Sequence, residues 1–301
     1  MGSPYIRNMI SYNPKNWSGF LLDFRRIDTI RKLQVPILIM IVYSAFVAYL
    51  EMDYFRLSPN SSVKNISLLH TLLGFAISML LVFRTNTAYD RWWEGRRLWG
   101  SLVNNSRNLA MKLNVILGAG QTSHREFFRQ ILPQFSHELM VHLQSEETRF
   151  ELDENPHPEI PDFDRSLHIP NQIAGLITGR VYQLYREGLI KQEELLLLNT
   201  ELSSFLEITG ACERIKNTPI PYSYSSFIKK FIFFYILTLP IGYVFSLGYL
   251  VIPVGVFVFY VLASLELIAE EIEEPFGKDS NDLPMARITN TIRKSVGEIL
   301  G

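Results

Sequence analysis

Cysteine is almost absent from this chain, and its positive and negative charges nearly cancel. The one cysteine, Cys212, excludes a disulfide within the chain and argues against a metal site built from several thiolates. A formal net charge of −1 provides no general attraction to nucleic acid, so we expect no nucleic-acid partner. Met1–Phe24 contains no apolar run of the kind found in a cleavable signal peptide, so none is expected there.

Sequence motifs of the common enzyme classes are missing too. The chain has no GxGxxG, no phosphate-binding glycine loop, no GxSxG and no HExxH. Its histidines are scattered: His137 and His142 lie five residues apart, off the i, i+4 spacing that best converges on a metal. With Glu146 and Glu147 nearby, a weak cation site is one interpretation, and a solvated helix face is the commoner one.

Long apolar runs are what the sequence does contain. Each is close to the ~20 residues that cross a bilayer, and together they predict four membrane-spanning helices. A buried helix of a water-soluble protein is the alternative for any single run. The mean hydropathy of +0.10 is too low for a chain embedded throughout, so a sizeable water-exposed part is expected. The four runs are Leu33–Leu50, Ser67–Phe83, Phe231–Phe245 and Leu247–Leu265.

Basic residues collect on one side of these predicted spans. By the positive-inside rule, both termini and residues 84–226 therefore lie in the cytoplasm. The residues that set this orientation precede the first span, follow the second and precede the third: Arg25, Arg26, Arg31 and Lys32; Arg84, Arg91, Arg96 and Arg97; Lys229 and Lys230.

The cytoplasmic region has helical periodicity and no strand pattern, so the predicted fold class is all-α. The acidic, proline-rich Glu151–Asp164 is expected to be a surface loop, and Thr218–Pro221 to interrupt the chain before the third span. The predicted cytoplasmic helices are Asn86–Asn114, which continues the second span, Phe127–Phe150, a helix capped by Asn171 that ends at Glu187, and Gln192–Ile215.

One face of the second span carries an apolar stripe. Phe75, Met79 and Phe83 lie at i, i+4 and i+8, which places them along ~12 Å of one helix face. The stripe is either the face that packs against another span or, if several copies surround an axis, three apolar rings that gate a pore by dewetting. In the second case His70 and Thr71, farther outward, would lie at the outer mouth.

A dense acidic segment ends the fourth span and continues into a loop, from Glu266 to Asp282. Its carboxylates offer the oxygen ligands that Ca²⁺ prefers. Acidic groups at a helix C-terminus are unfavourable, so they need positively charged partners. Arginines that follow the second span are more common partners than a metal ion.

Three stretches of this sequence resemble the bestrophins and their bacterial relatives. They correspond to the neck helix with its extension, the bacterial signature before the third span, and the proline-phenylalanine-glycine acidic loop. These stretches are Gly74–Gly100, Cys212–Ile215 with Asn217–Tyr222, and Glu270–Glu271 with Glu274–Gly277 and Asn281–Pro284.

The resemblance implies a homopentamer with four transmembrane helices per subunit, a helical cytosolic region and one central pore. Its neck positions fall on Phe75, Met79 and Phe83, where Met79 replaces an aromatic residue. Its calcium-binding loop keeps Asp279 and Asp282, but Lys278 and Ser280 replace acidic residues. Calcium gating is therefore expected to be weak or absent, with no required cofactor and Ca²⁺ or another divalent cation as an optional ligand. A second, cytosolic constriction falls within Gln192–Leu195, where Glu193 or Glu194 would favour cations.

The expected function is a channel for small monovalent ions, with chloride slightly favoured over cations such as sodium. The alternatives are a monovalent-cation channel of the same fold, a membrane enzyme with metal ligands in Glu266–Asp282, and a scaffold or secondary transporter. The enzyme needs histidines and carboxylates that converge from facing helices, which the sequence does not indicate, and no half of the chain mirrors the other as in many transporters.

The expected location is the bacterial inner membrane, with lipid as a further partner. The predicted division of the chain is a cytosolic N-terminal segment, two spans, a cytosolic helical region, two further spans, and a cytosolic acidic loop with the C-terminal segment: residues 1–32, 33–83, 84–226, 227–269 and 270–301.

Overall fold

The computed structural model describes residues 28–56, 66–118, 120–145 and 167–301, and within these ranges all regular structure is helical. The predicted all-α class is thereby confirmed for the described part of the chain. The predicted loop Glu151–Asp164 lies outside it. In chain order the α-helices are α1 (Asp28–Tyr49), α2 (Ile66–Leu117), α3 (Thr122–Gln144), α4 (Ile169–Arg186), α5 (Gln192–Asn217), α6 (Tyr222–Leu247), α7 (Val251–Glu273) and α8 (Met285–Leu300).

Helix α2 is a single element of 52 residues. It confirms that Asn86–Asn114 continues the second predicted span without a break. At 1.5 Å per residue it is ~78 Å long, more than twice the thickness of a bilayer's hydrocarbon core. The hydroxyl groups of Thr85 and Thr87 donate to the carbonyls of Leu81 and Phe83 at 2.8 and 2.9 Å, so these polar side chains are satisfied by the helix itself.

Three helical stretches of the described residues are long and apolar enough to cross a membrane: Thr29–Tyr54, Ile66–Leu117 and Tyr222–Glu273. The third contains both α6 and α7. Gly248, with φ of 55°, ends α6, and a short 3-10 turn, Gly248–Leu250, leads into α7. Lys229, early in α6, pairs with Glu270, late in α7, at 2.9 Å, so the two helices run antiparallel. This reversal is the geometry that two separate spans require.

The chain divides into two compact units. The first, here the apolar unit, comprises residues 28–56, 66–90 and 220–273 of the described part of the chain. Its core is formed by apolar side chains of α1, α2, α6 and α7, including Ile77, Leu81 and Ile232. Its surface is also apolar, because α1 exposes a row of large side chains. These are Val35, Leu38, Ile39, Val42 and Phe46. An apolar core under an apolar surface is typical of a protein that lies in lipid.

The second, here the helical unit, comprises residues 91–118, 120–145, 167–219 and 274–301 of the described part of the chain. Its core joins the later part of α2 to α3, α4, α5 and α8 through buried aromatic residues, among them Trp99, Phe135 and Phe205. Helix α4 corrects one prediction, because it begins at Ile169 and is capped by His168 and not by Asn171. The His168 Nδ1 accepts a hydrogen bond from the Asn171 backbone N–H at 3.2 Å, so Asn171 already lies inside the helix.

Candidate pore helix and ion-pair network

The predicted stripe on α2 faces away from the core of the apolar unit. Phe75, Met79 and Phe83 are 74%, 50% and 52% exposed, whereas Ile77 and Leu81 are 1% and 2% exposed. With ~100° between successive residues, the stripe and the Ile77–Leu81 pair lie on opposite sides of the helix. Within the described part of the chain no side chain covers the stripe, which leaves this face available to lipid or to other copies of the chain.

The structure separates the two residues predicted at the outer mouth. His70 is 1% exposed and lies on the core side of α2, where its Nε2 is 2.9 Å from the Tyr235 carbonyl oxygen. Its ring also contacts the ring of Tyr235 at a centroid distance of 4.7 Å. His70 is five residues before Phe75, ~140° away around the helix, so it shares a face with Ile77 and not with the stripe. Thr71 is exposed and is the one of the pair that remains a candidate for the mouth.

Arg84 is a buried charge on the core side of α2, the side that also carries Ile77 and Leu81. It is 1% exposed, and its Nη2 lies 2.6 Å from a carboxylate oxygen of Glu273, while its Nε lies 3.6 Å from Glu266. Glu273 also accepts a hydrogen bond from the Ile220 backbone N–H at 2.7 Å. Arginine pairing, which the sequence favoured for the acidic helix end, is confirmed for Glu266 and Glu273. The network links α2 and α7 to Ile220, two residues before α6 begins at Tyr222.

Arg91 binds backbone carbonyl oxygens, whereas the sequence favoured its pairing with acidic side chains at the end of the fourth span. Its guanidinium donates to the carbonyl oxygens of Ile215 and Thr218, at 2.6 and 2.5 Å. These carbonyls lie at the end of α5, where helix carbonyls have no partner within the helix and attract cations. Arg214 on α5 pairs in turn with Glu94 on α2 at 2.6 Å. Arginines thus hold the bacterial signature segment to α2.

The acidic loop closes on itself. Asp282, which is 4% exposed, accepts a hydrogen bond from the Asp279 backbone N–H at 2.5 Å, and the Leu283 N–H donates to the Pro275 carbonyl at 2.9 Å. Phe276 is fully buried. Of the two predicted metal ligands, Asp282 therefore stabilises the turn through one carboxylate oxygen, and Asp279 is exposed. The pair remains a prediction as a cation site.

Gly277→Ala is expected to destabilise this loop. A Cβ at Gly277 would lie 2.6 Å from the Asp282 carboxylate, which must then give up its bond to Asp279. Loss of a hydrogen bond to a buried charged group costs about 1.5–3 kcal/mol. The control is Gly297→Ala in α8, where no atom lies within 4 Å of the added Cβ and the change should stabilise the helix by about 0.5–1 kcal/mol. Thermal unfolding of both variants in detergent measures this, and equal shifts would contradict the prediction.

The predicted cytosolic constriction falls at the start of α5. Glu194 accepts a hydrogen bond from the Lys191 backbone N–H at 2.8 Å and so caps the helix. Glu193 is exposed in the same first turn. Because the Glu194 carboxylate is occupied by this cap, Glu193 is the better candidate to face permeant ions.

A cluster that the sequence did not indicate lies in the helical unit. His142, near the end of α3, and His168, the cap of α4, place their Nε2 atoms 2.7 and 2.5 Å from the same Glu213 carboxylate oxygen. Burial lowers the pKa of His142 despite its bond to Glu213. Burial raises the pKa of Glu213, but the hydrogen bonds from both histidines outweigh this effect, so the pKa lies below its usual value. The neutral form of the His142 imidazole and the ionised form of the Glu213 carboxylate are thus favoured.

The cluster corrects the prediction that convergent histidines and carboxylates are lacking. Only His142 belonged to the pair of histidines considered in the sequence, and its expected neighbours Glu146 and Glu147 lie outside the described residues. Its actual partners are 26 and 71 residues away along the chain, so no local spacing could have identified them.

Cys212, the only cysteine, should be inert in the folded protein. It is fully buried in the helical unit, and burial raises the pKa of its thiol to about 12. The thiolate is the reactive form, so maleimide labelling in detergent at neutral pH should be negligible and should become complete on denaturation. Mass spectrometry of the intact protein counts the added label, and full labelling without denaturant would contradict burial.

Comparison with known proteins places this geometry in context. Residues 9–298 match the family described as bacterial/fungal bestrophin protein. A voltage-dependent anion channel-forming protein from a Nostoc species is 36% identical over 230 residues, which make up 75% of each chain. A protein of the same description from Ralstonia nicotianae is 32% identical over 292 residues, 95% of this chain and 92% of the relative. A solved point variant of a bacterial bestrophin homologue from Klebsiella pneumoniae superposes with a TM-score of 0.77 at 29% identity, covering 90% of this chain and 99% of that one.

Proposed function

The chain belongs to the bacterial and fungal bestrophin family, and we propose that it is one subunit of a pentameric membrane channel for small monovalent ions, with anions favoured. Each subunit contributes four membrane spans, of which α2 lines the pore. The observation that carries the proposal is the exposed stripe of Phe75, Met79 and Phe83, which faces away from the core of its own unit.

Five copies of α2 around one axis leave a hole of suitable size. Neighbouring helices pack with axes about 8–10 Å apart, which places five axes at about 7–8.5 Å from the centre. A helix with its side chains has a radius of about 5–6 Å, so about 1–3.5 Å remains as the pore radius. Such a radius admits a small ion that has lost most of its water. An apolar ring of this width also closes readily by dewetting.

Anion selectivity is supported by two observations. The relatives from Nostoc and Ralstonia are both named voltage-dependent anion channel-forming proteins. The ring edges of Phe75 and Phe83 carry partial positive charge, which an anion tolerates better than a cation does. Met79 has no such edge, and a ring of exposed Glu193 carboxylates would attract cations. A cation channel of the same fold is therefore the second candidate.

The proposed topology follows from the basic residues. Both termini, residues 84–226 and residues 270–301 lie in the cytoplasm, and the spans occupy residues 33–83 and 227–269 of an inner-membrane protein. Lys32, at the inner end of the first span, forms a 2.7 Å ion pair with the buried Glu271, near the end of α7. The pair puts the start of α1 and the end of α7 at one level, which supports a common side for both ends.

The deciding experiment is a current measurement on purified protein in planar bilayers under a KCl gradient. A reversal potential near the chloride equilibrium potential supports the anion channel, and one near the potassium potential supports the second candidate. In the latter case Glu193→Gln should shift the reversal potential toward chloride. Absence of current, or a monomeric mass by light scattering in detergent, contradicts the channel itself.

A further inference from the structure

Three side chains with metal-binding atoms meet in the helical unit, outside the proposed pore. His142, His168 and Glu213 each offer one ligand atom, and all three atoms lie within 4.8 Å of one another. It is the one group of three or more histidine, cysteine or carboxylate ligands found within residues 28–56, 66–118, 120–145 and 167–301. The three side chains come from the end of α3, the cap of α4 and the body of α5, so the fold and not a local motif brings them together.

The chemistry of this ligand set differs from that of a calcium site. Two imidazole nitrogens with one carboxylate oxygen suit zinc and neighbouring transition metals, whereas Ca²⁺ takes six to eight oxygen ligands. The side chains are 35%, 29% and 28% exposed, so water can reach an ion held between them. The contacts of 2.5 and 2.7 Å to Glu213 are hydrogen bonds, and metal bonds of about 2.0–2.2 Å require the three groups to separate slightly around the ion.

We propose that His142, His168 and Glu213 form a site for Zn²⁺ or a similar divalent transition metal, with solvent completing the coordination. The metal would tie the end of α3 and the start of α4 to α5. Its ligand set includes neither Asp279 nor Asp282, and the proposal does not depend on whether the protein conducts ions.

Metal binding has a defined consequence for α4. The His168 Nδ1 accepts the Asn171 backbone N–H, so its proton is on Nε2, which donates to Glu213. When Nε2 binds a metal, the same proton must move to Nδ1, and no proton is gained or lost overall. The Asn171 N–H then loses its acceptor. Occupancy of the site is therefore coupled to loss of the side-chain cap of α4.

One neighbouring charge opposes the metal. The Lys216 Nζ donates to the carbonyl oxygens of His142 and Ser145, at 3.2 and 2.9 Å, and holds a positive charge beside the end of α3. This charge lowers the affinity for a cation. Lys216→Met, which keeps the apolar stem, should therefore strengthen metal binding.

The test uses the full-length, metal-free protein in detergent with any polyhistidine tag removed. Titration with Co²⁺ should give the visible absorption of a nitrogen-ligated ion at one equivalent per chain, and Zn²⁺ should displace it. His168→Asn removes a ligand but keeps a good helix cap, so the variant should fold. It should bind Co²⁺ at least about 100-fold more weakly, because the loss of a group that only supports a metal ligand already lowers affinity 10- to 100-fold. Asp279→Asn is the control and should bind as the parent protein does.

Hydrogen exchange gives an independent measurement of the coupling to α4. The Asn171 amide should exchange faster when Zn²⁺ is bound in the parent protein, and the His168→Asn variant should show no such change. The proposal is overturned if Co²⁺ produces no absorption at millimolar concentration, if His168→Asn binds as tightly as the parent, or if Asp279→Asn abolishes binding. These results would leave a plain hydrogen-bonded cluster, and the current measurements that test the channel are unaffected by either outcome.

Discussion

Arg84→Met is expected to lower the stability of the protein by about 3–5 kcal/mol, because it leaves buried carboxylates without their cation. Arg84 is 1% exposed, and its partners Glu266 and Glu273 are 5% and 14% exposed. Methionine keeps much of the apolar volume, so the effect measured is mainly the loss of charge. For a chain of this size the apparent melting temperature should fall by about 6–20 °C.

The matched control for this variant is Lys229→Met. Lys229 on α6 and Glu270 on α7 also form an ion pair near the end of α7, but their side chains are 49% and 50% exposed. Exposed pairs contribute about 0–1 kcal/mol, so the control should unfold almost as the parent does. Differential scanning fluorimetry in detergent compares the two. If both variants lose equal stability, burial is not the cause.

A triple variant separates charge from packing at this position. Replacing Arg84 by methionine together with Glu266→Gln and Glu273→Gln removes every charge of the network at once. Replacement of a complete buried ion pair often leaves the free energy of unfolding unchanged, whereas removal of one partner lowers it strongly. The triple variant should therefore recover a large part of the stability that Arg84→Met loses. A triple variant as unstable as the single one would instead indicate a packing defect.

Phe83→Ala is expected to raise the single-channel conductance several-fold, because it widens the innermost of the three proposed apolar rings. Phe83 is 52% exposed on the face of α2 opposite its core contacts. Loss of five phenyl rings lets the ion keep more of its water at this level. If the barrier falls by about 1.4 kcal/mol, the rate of passage rises about tenfold.

The control for the neck variant is Phe234→Ala on α6. Phe234 is 60% exposed in the same apolar unit, and its truncation removes the same atoms from a different helix. Its conductance should match that of the parent. If Phe83→Ala leaves the conductance unchanged, the stripe only packs against other helices and does not line the pore. If both variants change the conductance equally, the effect is not specific to the pore.

The helices of this chain are predictable because their signals are local. Uninterrupted helical spacing from Ser67 to Asn114 predicts one long α2, and the Thr218–Pro221 segment breaks the chain where a proline removes backbone donors. That Phe75, Met79 and Phe83 share one face of α2 could also be predicted, but whether that face packs against another span of the chain could not. The same angular argument, carried back to His70, places that residue on the opposite face, and only the small separation along the sequence made it look like part of the mouth.

The sites that failed prediction depend on residues far apart in the sequence. The cluster of His142, His168 and Glu213 joins three elements, and no periodicity encodes which side chains meet after α3, α4 and α5 pack. The cap of α4 was missed for a different reason. Histidine is an uncommon N-cap and asparagine is a preferred one, so residue preferences favoured Asn171 over His168. Pro170 did not decide between them, because a proline is compatible with a helix start at either residue.

Because Cys212 is buried, the natural chain can be used for cysteine labelling without first removing a native thiol. Because its sole thiol is shielded in the folded state, a cysteine introduced elsewhere is the only group that a water-soluble reagent can modify. Thr71→Cys and Phe83→Cys could then be probed from either side of a vesicle without first removing a native residue. Each labelling pattern would assign one side chain to one compartment, which turns the orientation of every span into a directly measurable quantity.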